Sequence, residues 1–230
     1  NLTGLKYLTE LRLHNNMLTD VRALRSLVNL EILYLGHNQI KDIGFFSTLT
    51  ALELLYVNDN NISDISTLTT LSKLEIINVS NNNISSLSVL RNYTGTLTEI
   101  YAENNKLTDF SFINGGSKLH ILMLAGNKSE IAQSNMSTWL SGLDGLEVLT
   151  LSDITLTDLS FLDSMNKLAR LDIANCGLGA FTGDLSNIEQ IANRYATLKI
   201  LNISNNDMRG YEDEILKLRN ISLLTVLYAD

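Results

Sequence analysis

The amino-acid sequence predicts an α/β solenoid, a curved right-handed arc with a concave parallel sheet of about ten short strands. Three observations support this prediction. One pattern of leucine and asparagine recurs along nearly all of the 230 residues. Apolar residues make up 45% of the chain and charged residues 18%, which is the balance of a globular protein. Proline is absent, which favours regular repeated structure over rigid irregular loops.

The recurring pattern first appears as Leu8-x-x-Leu11-x-Leu13-x-x-Asn16-x-Leu18. The pattern occurs ten times along the chain, and we number the coils that begin with it 1 to 10. The coils begin at Leu8, Leu30, Leu52, Leu74, Leu97, Leu119, Leu146, Leu168, Leu198 and Leu224. The usual spacing is 22 residues, and three coils of the second half are longer, with 27, 30 and 26 residues.

Each coil predicts one short strand, because alternation of leucine with other residues buries one side of a strand and exposes the other. A single coil cannot bury its apolar side, whereas stacked coils form a continuous apolar interior. Strands of neighbouring coils then pair in parallel, about 4.8 Å apart. The rest of a 22-residue coil is too short for a full helix. Val21, Leu24 and Leu27 are three residues apart, which predicts short 3₁₀ turns on the convex side.

The longer coils predict a few convex helices. Five extra residues follow Asn127 and predict a helical bulge that contains Met136, Trp139 and Leu140. The coil that contains Cys176 has eight extra residues after that cysteine. The capping-box pattern at 186–189 predicts a helix over 187–196. A further helix is predicted over 212–219, with Ile215 and Leu218 turned inward.

A ladder of asparagines occupies the ninth position of the pattern. Its members are Asn16, Asn38, Asn60, Asn82, Asn105, Asn127 and Asn206, with Cys176 in the same column. We expect each side-chain amide to bond otherwise unpaired turn backbone, and we expect Cys176 to be buried and structural. Ile154 interrupts the column, so an altered turn is predicted there.

The repeated motif resembles the leucine-rich repeat family, whose signature L-x-x-L-x-L-x-x-N/C-x-L is matched position by position. The 22-residue period resembles the short class found in bacterial internalins and in the regulatory subunit of a nuclear protein phosphatase. Internalin repeats often carry proline on the convex side, and this sequence has none. The resemblance implies that the solenoid recognises other proteins and performs no chemistry.

The charge balance narrows the classes of partner. The formal net charge is −8, and no basic stripe is present, which argues against nucleic acid as the partner. No run of about 18 apolar residues occurs, so insertion into a membrane is not expected. The single cysteine cannot form an internal disulfide.

We expect residues 1–230 to form one monomeric solenoid domain. We also expect this domain to be a segment of a longer protein, because neither end carries a polar cap.

Two constellations of side chains merit a chemical interpretation. His14, His37 and Asp59 lie at neighbouring strand exits and could bind zinc or nickel. Glu99 and Glu103 share one strand region, as a paired-acid hydrolase site would require. A solvated strand edge and an open curved sheet explain both sets without chemistry. We therefore predict no metal, no cofactor and no catalytic residues.

The predicted concave face is unusually apolar. Its exposed positions are the third, fifth and seventh of the pattern. We define the concave patch as eight of these residues in coils 2 to 6, namely Ile32, Tyr34, Leu54, Tyr56, Ile76, Tyr101, Ile121 and Met123. Strand propensity alone would account for the isoleucines, but not for leucine, tyrosine and methionine among them. Such patches mark protein interfaces, where tyrosine and methionine are enriched.

The sequence therefore predicts a non-enzymatic protein-binding module that uses this patch. We expect a bacterial surface or secreted protein, because the nine N-x-S/T triplets fit an Asn/Ser/Thr-rich composition better than glycosylation of an animal receptor. The alternatives are a cytoplasmic regulatory scaffold that targets an enzyme, and a structural spacer within a larger protein.

Overall fold

Ten parallel strands, one from each coil, form a single sheet in chain order. The computed structural model describes residues 2–127, 136–156, 159–178, 191, 196–209 and 212–229. The strands are β1 (Glu10–Arg12), β2 (Ile32–Tyr34), β3 (Leu54–Tyr56), β4 (Ile76–Asn78), β5 (Glu99–Tyr101), β6 (Ile121–Met123), β7 (Val148–Thr150), β8 (Arg170–Asp172), β9 (Ile200–Asn202) and β10 (Val226–Tyr228). The pairing register never slips, and the predicted solenoid is confirmed.

The apolar core runs along one side of this sheet. The central residues of β2 to β9, such as Leu33, Leu55 and Ile77, are buried. Their neighbours on either side are only half-buried in β2 to β6. This alternation follows from the period of two in a strand. It separates a closed leucine interior from an open surface.

The convex side consists mainly of 3₁₀ turns, as the three-residue spacing predicts. They span Arg22–Ser26, Gly44–Thr48, Ser66–Thr70, Ser88–Tyr93, Ser111–Ile113, Ser160–Ser164 and Leu218–Asn220. In coil 1, Val21, Leu24 and Leu27 all enter the core. Among the described residues, no helix is long and apolar enough to cross a bilayer.

Two of the longer coils contain a short α-helix whose bounds lie within the described residues. Helix α1 (Met136–Leu140) is the predicted bulge, and half-buried Trp139 packs edge to face on Phe110 with ring centroids 6.1 Å apart. Helix α2 (Glu212–Lys217) is shorter than predicted, because the chain tightens into a 3₁₀ turn at Leu218. Leu218 is buried and Ile215 half-buried. Apart from residues 191 and 196, the helix predicted over 187–196 and its capping box lie outside the described residues.

The asparagine ladder joins each coil to the one before it. The Nδ2 group of Asn60 donates to the carbonyls of Leu35, Val57 and Asn58 at 3.0–3.1 Å, and its Oδ1 accepts from Ile40 N–H at 2.9 Å. Equivalent bonds recur at the buried members of the column, which are Asn38, Asn82, Asn105, Asn127 and Asn206. The amide thus satisfies backbone groups that would otherwise be buried without partners.

Asn16 is an exception to the burial of the ladder. It is exposed, because no described coil packs in front of coil 1. Its amide still donates to the carbonyls of Leu13 and His14, both at 3.0 Å. The local turn therefore forms without help from a preceding coil.

Cys176 replaces the amide of the ladder with a thiol. Its Sγ donates to the carbonyls of Leu151 and Ala174, at 3.3 and 3.4 Å. The thiol provides no equivalent of Oδ1, and Leu156 N–H donates instead to the backbone carbonyl of Cys176 at 2.9 Å. Burial raises the pKa of Cys176 to about 12, so the side chain is a neutral thiol at physiological pH.

Ile154 alters its turn in hydrogen bonding but not in backbone conformation. Its N–H donates within the coil to Leu151 O at 3.1 Å, whereas Asn60 N–H donates to the following coil. The preceding residue, Asp153, keeps the left-handed φ of 65°. The same conformation precedes the ladder position in other coils, at Asn15, His37, Asp59, Asn81, Asn104, Gly126, Asn175 and Asn205. Asparagine, aspartate, histidine and glycine are the residues that tolerate it.

Candidate functional site

The concave patch forms a continuous surface on the side of the sheet opposite the core. All eight of its residues are half-buried, and none belongs to the buried core cluster. The strand register places Ile32, Leu54 and Ile76 side by side, and likewise Tyr34 beside Tyr56. Burial at this level reflects packing among neighbours on a curved sheet. The outer surfaces of these side chains face solvent.

An aromatic row runs along the fifth position of coils 1 to 3. The rings of Tyr34 and Tyr56 stack with centroids 4.7 Å apart and planes 20° from parallel. The guanidinium of Arg12 lies over the outer face of Tyr34, 4.8 Å from its centroid, which is a cation–π arrangement. Glu10 accepts a hydrogen bond from Arg12 Nε and balances its charge.

A cleft of about 310 Å³ adjoins this row at the carboxyl ends of the first three strands. Its lining residues are Arg12, His14, Asn15, Tyr34, Gly36, His37, Tyr56 and Asn58. Gly36 forms a low point, because a Cβ there would lie 2.7 Å from Oδ1 of Asn58. The cleft contributes hydrogen-bonding groups next to the apolar patch.

Tyr101 ends the patch's row of tyrosines and has a fixed orientation. Its hydroxyl donates to Oε2 of Glu99 at 2.6 Å. Burial, followed by this hydrogen bond and the charge of Glu99, raises the pKa of Tyr101 well above its usual range. Burial is also the main reason that the pKa of Tyr56 is raised, with Tyr34 and Glu99 contributing. Tyr56 and Tyr101 are therefore neutral hydrogen-bonding phenols.

Coils 5 to 8 carry a polar group of side chains beside the patch. Thr150 Oγ1 lies 3.4 Å from Oε1 of Glu103, and Ser152 Oγ donates to Oδ1 of Asp172. Burial raises the pKa of Glu103, and the nearby charge of Asp172 adds to this, while Thr150 and Arg170 oppose it. This part of the concave face is thus hydrogen-bonded and predominantly acidic.

Some residues at positions expected to be exposed are buried. They are Gly36, Ser80, Thr150 and Ser204. Thr150 is only 1% exposed, because the longer side chain of Glu103 reaches it from coil 5 across Ala125. Ser80 accepts a hydrogen bond from Glu103 N–H at 3.2 Å. Small side chains in these columns are covered by larger neighbours, which the strand period alone does not predict.

The two constellations with a chemical interpretation separate in the structure. His37 Nδ1 lies 3.5 Å from Oδ2 of Asp59, whereas His14 packs edge to face on Tyr34. In the part of the chain that the structure describes, no three histidine, cysteine or acidic side chains form a group able to hold a metal ion. Glu99 and Glu103 bond to different partners, namely Tyr101 and Thr150.

Sequence reasoning missed Arg12 as part of the aromatic row, and it missed the cleft. Arg12 is not among the residues predicted to form the concave patch. The signal for its role was its place in the same column as Tyr34 and Tyr56. The signal for the cleft was Gly36, the smallest residue at the seventh position of the described coils.

Sequence comparison assigns part of the chain to a known family. The family model described as leucine-rich repeats (two copies) matches residues 8–49 and 50–92. No curated protein sequence matches the chain.

Comparison with solved structures extends the similarity along the chain. An internalin (InlF) from Listeria monocytogenes is 26% identical, with a TM-score of 0.74 over 97% of this chain and 67% of that one. An internalin C2 from the same species is 31% identical, with a TM-score of 0.58 over 64% of this chain and 63% of that one. A leucine-rich repeat protein from Leptospira interrogans shares the fold at 22% identity, with a TM-score of 0.73. This chain covers 62% of its length.

Proposed function

Because this chain is a leucine-rich repeat protein whose repeats resemble those of internalins, we propose that its concave patch binds a protein partner without catalysing a reaction. The observation that supports this proposal is the patch itself. Eight apolar and aromatic side chains on five adjacent strands are held outside the core. A surface of this kind remains partly exposed to water unless a partner covers it.

The composition of the patch favours a protein over a small ligand. Tyrosine, methionine and aliphatic side chains dominate the patch, as they do the centres of protein interfaces. Glu99 lies among them, between Ile76 and Ile121 of the neighbouring strands. The surface is an open sheet. Small molecules are usually bound in enclosed cavities that bury most of the ligand.

We further propose that the protein acts at a bacterial surface or after secretion. The support is the similarity to internalins of Listeria monocytogenes, two of which are at least 26% identical to this chain. A cytoplasmic regulatory scaffold and a structural spacer are the competing roles. A scaffold would use the same patch inside the cell, and a spacer would leave the patch without a function.

The test is a comparison of binding with stability in tyrosine variants. The partner is first captured on the immobilised protein, identified by mass spectrometry and purified. Its dissociation constant is then measured by calorimetry for the wild type, Tyr34→Ala and Tyr56→Ala. We expect a loss of about 2 kcal/mol, or roughly thirty-fold in Kd, for an aromatic anchor at an interface. The unfolding free energy should change by no more than about 1 kcal/mol, the usual value of one aromatic pair.

Tyr7 provides a matched control, because it is 93% exposed and lies outside the patch. Tyr7→Ala should leave both the dissociation constant and the stability unchanged. The proposal fails if Tyr56→Ala leaves the affinity for the purified partner unchanged. A large loss of stability with intact binding would instead place this column in the core.

A further inference from the structure

The row of tyrosines on the concave face is interrupted at one position. Tyr56, Asn78 and Tyr101 occupy equivalent positions in β3, β4 and β5. Neighbouring strands are about 4.8 Å apart, so the Cα atoms of the two tyrosines are separated by about 10 Å. The centroids of the stacked rings of Tyr34 and Tyr56 are 4.7 Å apart, so a planar group stacked between two rings needs about twice that distance. The space above Asn78 therefore has the width of one planar group.

Asn78 does not fill this space itself. Its Oδ1 accepts a hydrogen bond from Ser80 N–H at 3.1 Å, which ties the short side chain to its own coil. Among the described aromatic contacts, Tyr56 stacks on Tyr34 and makes no ring contact with Tyr101. Tyr34 covers one face of Tyr56, and no described ring covers the other. We call the space between Tyr56 and Tyr101 above Asn78 the tyrosine slot.

The slot has an acidic side. Glu99 lies on the same strand as Tyr101, and only Oε2 of its carboxylate receives the tyrosine hydroxyl. In the described part of the chain, no donor bonds to its Oε1. The half-buried Glu103 lies two residues after Tyr101. A neutral ring in the slot would cover these carboxylates without compensating their charge, which is unfavourable.

The other end of the row shows how this surface accommodates a cation. Arg12 stacks on the outer face of Tyr34 while its Nε bonds to Glu10, two residues earlier on β1. In the slot the two groups come from the flanking strands, with the ring of Tyr56 on β3 and the carboxylate of Glu99 on β5. The slot thus offers an aromatic face and a carboxylate, the two groups that hold a guanidinium in coil 1, although their strands are arranged differently. Arginine suits such a site better than lysine, because its planar group stacks and bonds a carboxylate together.

We propose that the tyrosine slot binds an arginine side chain of the protein partner, stacked on Tyr56 and paired with Glu99. This inference rests on the proposed function and specifies the chemistry of the partner. The excess of acidic residues, 25 against 17 basic ones, attracts a cationic segment at longer range. Ile76 and Asn78 form the floor of the slot, and the apolar residues on either side would contact the flanking parts of the partner.

The experiment uses four short peptides and NMR titration of the isotope-labelled protein. The probes are acetyl-Gly-X-Gly amides in which X is arginine, citrulline, lysine or phenylalanine. Citrulline keeps the shape of arginine without its charge, and lysine keeps the charge without the plane. We expect the arginine peptide to bind at least five-fold more tightly than each of the others. Its chemical-shift changes should centre on Tyr56, Asn78 and Tyr101.

Three variants test the assigned residues. Glu99→Gln and Tyr56→Leu should each weaken binding of the arginine peptide at least five-fold, and Asn78→Tyr should abolish it by filling the slot. Glu147→Gln is the matched control, because this exposed glutamate precedes β7 and lies two coils away from Glu99. Thermal unfolding of every variant shows whether the fold is kept.

The proposal is overturned if the phenylalanine peptide binds as tightly as the arginine peptide, if none binds, or if Glu99→Gln has no effect. These failures are separate from failure of the proposed function. If Tyr34→Ala weakens binding of the purified partner while the arginine peptide fails to bind, the patch is an interface and only the arginine assignment is wrong. If Tyr34→Ala and Tyr56→Ala leave partner affinity unchanged, the proposed function fails whatever the peptide result.

Discussion

Coil 3 and coils 7 and 8 pair their strands in the same register, but they carry different side chains on the two faces of the sheet. In coil 3 the ladder residue is Asn60, and the concave face carries Leu54 and Tyr56. In coil 7 the ladder position holds Ile154, and in coil 8 it holds Cys176. Despite this, strand pairing continues without a slip, and the left-handed residue before the ladder is kept. The backbone of a coil is therefore compatible with amide, apolar and thiol side chains at the ladder position.

The comparison shows that the stacking of coils and the hydrogen bonding of the turn backbone contribute separately to stability. Coil 3 satisfies its turn with four side-chain hydrogen bonds of Asn60. Coil 7 instead bonds its turn through Ile154 N–H and fills the space with a fully buried side chain. Removing the side chain should thus have different physical consequences in the two coils.

The largest effect is expected for Ile154→Ala. The side chain is fully buried, and its truncation removes apolar contacts and leaves a cavity, which costs about 3 kcal/mol. Urea unfolding followed by circular dichroism measures the loss. Thr155→Ala, at the exposed neighbouring position, should change the stability by less than about 0.5 kcal/mol. A cost below about 1 kcal/mol for Ile154→Ala would show that coil 7 does not depend on this packing.

Asn60→Ala should cost about 2 kcal/mol in the same assay. The alanine leaves Ile40 N–H and the carbonyls of the turn without their side-chain partner, and unsatisfied buried groups carry a penalty of this size. Asn61 is exposed, and Asn61→Ala should be neutral. Equal urea midpoints for the two variants would contradict the structural importance of the ladder.

Much of this comparison follows from the sequence alone. Position in the repeat predicts that Leu55 is buried and Tyr56 is not, because the strand period and the stacking of coils leave no other arrangement. The burial of Thr150 is not predictable in this way. It depends on Glu103 reaching across Ala125 from two coils away, which is a contact between side chains. The stacking of Arg12 on Tyr34 is of the same kind.

A smaller effect is expected for Glu103→Gln, on the polar part of the concave face. Burial raises the pKa of Glu103 in the folded protein, so its contribution to stability is present below its unfolded pKa and is lost as the pH rises through its folded pKa. Glutamine does not titrate. The variant should gain stability relative to wild type between pH 4 and pH 7, by less than about 1 kcal/mol because the group is partly solvated.

Urea midpoints at several pH values measure this difference, with Glu147→Gln as the exposed control. A constant difference between Glu103→Gln and wild type across this range would show that burial does not perturb the carboxyl. A difference of the opposite sign would show that the folded protein favours the charged form.

The smallest effect concerns Cys176, where we expect no reaction at all in the folded state. Burial places the pKa of its thiol at about 12, so almost no thiolate is present at pH 8. Iodoacetamide should label the protein only after unfolding in urea, and mass spectrometry measures the extent. Labelling of the folded protein at the rate of a free cysteine would contradict the assignment of Cys176 as an interior ladder residue.

The concentration of contacts between secondary-structure elements in adjacent coils also has a mechanical consequence. The described strands, turns and helices contact elements of their own coil or of the next one. A pulling force along the solenoid is therefore carried in series, and each coil can detach without loosening distant ones. A coil of 22 residues extends to about 75 Å of chain, so each detachment would lengthen the molecule by about 70 Å. The solenoid would act as an extensible tether that yields in steps while the remaining coils stay folded.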